Sequence, residues 1–121
     1  DAVLSAIPGE VPAVGSDIFT YLLDDEGWQP LPMPVPGAKW KPLRFHPDGT
    51  PKMFLLELPP GCEFPDHPHP GEEECLLLKG DLVNDGRSLG PGDYVKARAG
   101  THHHGLRTVG GCVCLLILNA A

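Results

Sequence analysis

Five of the six histidines fall in two short clusters, His67 with His69 and the run His102-His103-His104, while His46 stands apart. A single residue separates His67 from His69. In extended backbone both imidazoles project from one face, with their Cα atoms about 7 Å apart, near enough to converge on one ion. Glu73 follows the Pro70-Gly71 turn signal, which can fold its carboxylate back toward the pair. A third imidazole drawn from His102, His103 or His104 completes a set of three nitrogens and one oxygen. Those donors suit one divalent transition metal per chain, Fe, Zn, Ni or Mn, and the residues alone do not choose among them. A metal that accepts more than four ligands then keeps positions open for water, O2 or a chelating substrate. The bland alternative is an exposed polar loop that Pro65, Pro68 and Pro70 merely stiffen.

Such a site needs elements that hold two distant segments together. Of 121 residues, 15 are Gly and 15 are Pro, a density of breakers that leaves little room for long helices. Yet 41% of the chain is hydrophobic and only 21% charged, so the composition is not that of a disordered chain. The apolar residues come in short runs: Ala38 to Phe45, Lys52 to Leu58, Glu74 to Lys79, Gly92 to Arg98 and Gly111 to Leu118. Turn signals separate them, among them Pro47-Asp48-Gly49, Asn84-Asp85-Gly86 and Gly90-Pro91-Gly92. That spacing predicts an all-β sandwich or barrel. The last run is apolar on both faces, as in a strand covered on both sides.

The first 37 residues read differently. Asp1 to Gly15 is a Pro/Gly-spaced arm, Asp17 to Leu23 a strand candidate, and Gln29 to Gly37 an extended edge segment, because alternate prolines forbid a central strand. Residues 1–37 are thus an arm with edge or dimerisation segments, and residues 38–121 a single domain. The arm is available to pair with a second copy, and a homodimer is expected.

Charge excludes one class of partner. The net charge is −7 and no basic cluster with interleaved aromatics is present, which argues against nucleic acid. No apolar run approaches the roughly 18 residues of a membrane span, and no signal-peptide pattern opens the chain. Cys62, Cys75, Cys112 and Cys114 form no C-x-x-C pair and sit in apolar runs, which suits buried, reduced thiols and a cytoplasmic location.

The spacing around the histidines resembles that of a known family. Gly61, His67, His69, Glu73 and Gly80 reproduce the complete first motif of the cupin superfamily. Gly92-Asp93, Ala99-Gly100 and His103 resemble its second motif, with Arg98 where cupins usually have Pro and no Asn near Arg107. The resemblance implies a double-stranded β-helix, the cupin jelly-roll barrel of RmlC-like proteins, over Ala38 to Leu118, with His67, His69, Glu73 and His103 as ligands. Strand alternation agrees, since it puts His103 on the face opposite to His102 and His104. The stretches HPHPGEEECLLLKGDL and GPGDYVKARAGTHHHGLRTVGGCVCLLIL resemble the branch holding ChrR-like anti-sigma factors. They are also similar to small dioxygenases of β-diketones such as acetylacetone, and of dihydroxyacetophenone.

Two functions follow from that resemblance. One is a mononuclear metal-dependent dioxygenase of a small oxygen-bearing organic molecule, in which Glu73 is both ligand and proton acceptor. The other is a zinc-binding regulatory or ligand-sensing cupin without turnover. Cys75, two residues past Glu73, is expected to face the interior near the metal and to line the pocket. Glu72 and Glu74 are expected to face away, and Asp93 to complete a turn.

Overall fold

The structure is a computed structural model and describes residues 10–12, 19–21, 23, 26–103 and 105–119. Most of the expected arm, and the side chains of His103 and His104, lie outside the described residues. Among those described, every regular element is a strand.

Six antiparallel strands form the main sheet, in the order β10–β7–β12–β5–β4–β3. In chain order these are β3 (Gln29–Pro30), β4 (Lys39–Phe45), β5 (Pro51–Leu58), β7 (Glu73–Gly80), β10 (Tyr94–Ala97) and β12 (Cys112–Leu118). Short pairs make up the rest: β6 (His67–Pro68) with β11 (His102–His103), and β8 (Leu82–Asn84) with β9 (Arg87–Leu89). Single bridges from Arg107 to Glu63 and Val83 extend that second layer. Separately, β1 (Glu10–Pro12) pairs with β2 (Phe19–Tyr21), a shorter strand than the sequence run around it. The architecture is the all-β double-stranded β-helix.

Alternation decides which residues fill the barrel. Phe54, Leu56 and Leu58 of β5, Cys75 and Leu77 of β7, and Cys112, Cys114 and Leu116 of β12 make one buried cluster. On the opposite face of β12, Val113, Leu115 and Ile117 are half-buried. The apolar two-faced run is therefore central in the sheet, between β5 and β7, with only its inner face sealed. All four cysteines are free and buried, and the sulfurs of Cys112 and Cys114 lie 3.9 Å apart.

The proline-rich segment enters the domain. Gln29–Pro30 is an edge strand on β4, and Val35 and Ala38 are buried in the core cluster. Pro42 is buried inside β4, where it is tolerated because β3 pairs only with Lys39 and Trp40 and the register to β5 shifts beside it. The β8–β9 hairpin turns through Asp85 and Gly86, both at positive φ, as a two-residue type I′ loop requires.

Where the two layers meet, Asp81 pins the chain that leads into β12. Its carboxylate accepts the N–H groups of Val109 (2.8 Å) and Gly110 (2.7 Å), and these hold its pKa below the ordinary value. The group therefore stabilises the fold above the unfolded carboxyl value, and that contribution is lost as pH falls through the lowered folded value. The stability deficit of Asp81→Asn should be largest near neutrality and shrink below about pH 4 in urea titrations; an equal deficit at pH 7 and pH 3 would exclude this role.

Gly80 closes the same corner. It has φ +84, and a Cβ there would lie 2.0 Å from the carbonyl oxygen of Gly111. Gly49 has a similar φ of +88 but open space around it. Gly49→Ala should therefore cost only the left-handed penalty, about 1–2 kcal/mol, whereas Gly80→Ala should cost at least about 3 kcal/mol or prevent folding. Denaturation midpoints of the two variants compare them directly.

Candidate metal centre

Proline sets the local geometry. A residue that precedes proline is driven out of the helical region into extended conformations, and His67 and His69 precede Pro68 and Pro70. Both imidazoles accordingly leave the same face, with ring centroids 4.9 Å apart and planes at 77°. The chain then bends at Pro70-Gly71 into β7, whose first residue is Glu73.

The three side chains converge. Glu73 Oε2 lies 3.2 Å from His69 Nε2 and 3.8 Å from His67 Nε2, and one donor atom from each residue lies within 4.8 Å of the others. Ligand atoms at about 2.1 Å from a common ion stand roughly 3.0–3.4 Å apart, so the group needs little adjustment to hold one. His67 Nδ1 lies 3.0 Å from the Pro65 carbonyl oxygen, and His69 Nδ1 lies 3.1 Å from both the carbonyl oxygen and Oγ1 of Thr101. Donation of each Nδ1–H to a carbonyl leaves the Nε2 lone pair free for a metal, the arrangement in which outer partners fix tautomer and ring orientation. The carboxylate beside it, assisted by the Pro65 carbonyl and opposed by burial, raises the His67 pKa above its ordinary value. A proton and a metal thus compete for the same nitrogen, and binding releases the proton. The donor set fits a divalent transition metal.

Burial differs along the trio. His69 is essentially sealed, with 1% of its side chain exposed, whereas His67 shows 22% and Glu73 12%. His67 and Glu73 border a cavity of about 170 Å³ whose other walls are apolar, among them Leu31, Met33, Phe54, Phe64 and Leu106. Phe64 also packs edge-on against His67, with ring centroids 5.4 Å apart.

His67, His69 and Glu73 are therefore assembled from one short segment. The backbone register pairs His103 with His67 across β11 and β6. Cys75 is buried, and it borders with Glu73 a second, smaller cavity. His46 is engaged elsewhere, its Nε2 being 2.7 Å from the Leu118 carbonyl oxygen. Glu74 accepts the Tyr94 hydroxyl (2.6 Å), Glu72 faces Lys96 (3.4 Å), and Asp93 accepts the Gly90 N–H (2.8 Å) to close its turn. His102 is exposed. Sequence reasoning missed Leu31 and Met33 as pocket walls, although alternate apolar residues in the proline-rich segment carried the signal. It also missed Thr101, which no motif position marks.

Thr101 should matter through His69. Thr101→Val removes one of the two oxygens at Nδ1 and leaves the carbonyl, so affinity for Zn(II) should fall by up to about tenfold, measured by competition with a chromophoric chelator. Unchanged affinity would show that the carbonyl alone holds the ring.

No curated protein sequence gives a significant match to the chain. Among solved structures, the complex of Rhodobacter sphaeroides SigE with the anti-sigma ChrR matches at 25% identity and a TM-score of 0.64. The match covers 82% of this chain and 51% of the other, so this chain spans about half the length of that relative. An acetylacetone dioxygenase from Acinetobacter johnsonii matches at 20% identity and a TM-score of 0.69, covering 89% and 78% of the two chains. The polyketide cyclase RemF from Streptomyces resistomycificus matches at 23% identity and a TM-score of 0.57, covering 69% and 65%. The last two likenesses speak to the fold. The model of the ChrR cupin-like domain matches residues 18–121, nearly the whole sequence, and the chain belongs to that family of cupins.

Proposed function

We propose that the chain is a metal-dependent cupin oxygenase acting on a small oxygen-bearing molecule, with His67, His69, Glu73 and His103 holding one divalent transition metal, Fe(II) in the active form. The observation that carries this reading is the convergence of two imidazole nitrogens and a carboxylate oxygen at the wall of an apolar chamber. A purely structural ion needs no such chamber beside it. The pairing of His103 with His67 supports His103 as the third imidazole.

Each residue has a task. His67 and His69 present neutral Nε2 atoms, fixed by the carbonyl oxygens behind them. Glu73 lowers the net charge of the site and takes a proton from the substrate. Phe64, Leu106 and the segment bearing Leu31 and Met33 exclude water and hold the apolar body of the substrate. A redox-active ion would supply Lewis acidity and one-electron chemistry with O2.

A second reading is favoured by the family match, which shares its name with an anti-sigma factor: a zinc-binding regulatory cupin that senses a ligand without turnover. Loading with Fe(II) without oxygen, then following O2 uptake with β-diketones and hydroxylated aryl ketones, separates the two. The oxygenase reading expects uptake that stops in Glu73→Gln. Tightly held Zn with no uptake would leave the regulatory reading. His103→Ala should lower metal content severalfold; unchanged content would implicate His102 or His104. A homodimer is supported by the half-buried outer face of β12, beside Leu76 and Leu78 of β7. Light scattering at micromolar concentration should give twice the chain mass, and the monomer mass would refute it.

A further inference from the structure

Asn84 ends β8, immediately before the Asp85-Gly86 turn. Leu82, two residues earlier on the same face, belongs to the buried core, so Asn84 also turns toward the barrel interior. Its Oδ1 is sealed from solvent and has no hydrogen-bond partner among the described residues. A buried acceptor in that state is costly, and native proteins seldom keep one without a use.

The surroundings indicate the use. Asn84 lines the inner cavity of about 20 Å³ that Glu73 and Cys75 also border. The inner and outer cavities share Leu56, Glu73, Leu106 and Leu116 as walls, so they adjoin at the carboxylate. The inner volume admits one hydroxyl-sized group, and the outer resembles the apolar cavity of about 150 Å³ that takes a benzene ring. Among the described residues no Lys or Arg lines either cavity. Beside His67 and otherwise apolar walls, the lining brings two side chains with oxygen acceptors to this space, Glu73 and Asn84. They call for an O–H donor on an apolar body.

We propose that Asn84 is a specificity-determining residue: its Oδ1 accepts a hydrogen bond from the hydroxyl of a small ligand whose apolar body fills the outer cavity. This rests on the reading of that cavity as the ligand chamber of the metal centre, and it narrows the substrate class to hydroxyl-bearing molecules of about one ring. A resident water on Asn84 would satisfy the same acceptor without conferring any preference on the ligand.

Phenol and toluene match in size and differ in the hydroxyl, and they are the probes. Each is titrated by calorimetry against the wild type, Asn84→Leu and Asn84→Ala, with and without Zn(II). The ratio of phenol to toluene affinity should fall about tenfold in both variants, with toluene bound as well as before or better in Asn84→Leu. The melting temperature of ligand-free Asn84→Leu should rise, because a stranded acceptor is removed. An unchanged ratio would assign Asn84 to a water, and an equal loss for both probes would assign it to packing. No binding of either probe by the wild type at millimolar concentration, or lower melting temperatures in both variants, would also overturn the proposal. The metal-free titrations read Asn84 alone, so a chain that fails to hold metal would defeat the metal-centre reading without obscuring this one.

Discussion

Pro68 and Pro70 restrict the backbone of the residues before them, and the site depends on that restriction. With His67 and His69 held extended, their rings share a face and both Nδ1 atoms meet backbone carbonyls, which turns both Nε2 atoms toward Glu73. A flexible segment would lose conformational entropy on ordering two imidazoles around an ion. Here the prolines have already removed much of that freedom from the unfolded chain. The remaining requirement is a fixed place for Glu73, and β7 supplies it, pairing Glu73 with Ala97 on one side and Leu118 on the other.

The barrel serves the site by keeping its far side dry. Leu77 and Leu58 are almost completely buried beneath it, and the inner faces of β5, β7 and β12 line both cavities. Exposure increases from His69 to His67 toward the outer cavity. Along this gradient one histidine is sealed in the fold while His67 and Glu73 border space that a small molecule can enter. The fold by itself fits catalysis and ligand sensing alike, and the chemistry at the open side decides between them.

Much of this was legible in the sequence. The strands β4, β5, β7, β10 and β12 coincide closely with the apolar runs, because each run is bounded on at least one side by a Gly or Pro signal. The His67, His69 and Glu73 trio was equally visible, since its geometry comes from neighbours in sequence. What was not visible depends on contacts distant in sequence. β6 and β11 are two residues long and carry no periodicity of their own. Leu31 and Met33 reach the cavity only because β3 docks on β4, while the alternate prolines read simply as an edge. Asn84 read as part of a turn, and its buried oxygen emerges only once β8 lies over Cys75 and Glu73.

The central claim is a single ion held by three imidazoles and one carboxylate. X-ray absorption at the zinc edge of the Zn(II)-loaded protein tests it directly. The account predicts three imidazole scatterers and oxygen at about 2.0–2.2 Å, without sulfur. A sulfur shell near about 2.3 Å, placing the metal on the buried cysteines, or a fit that admits only two imidazoles, would contradict it.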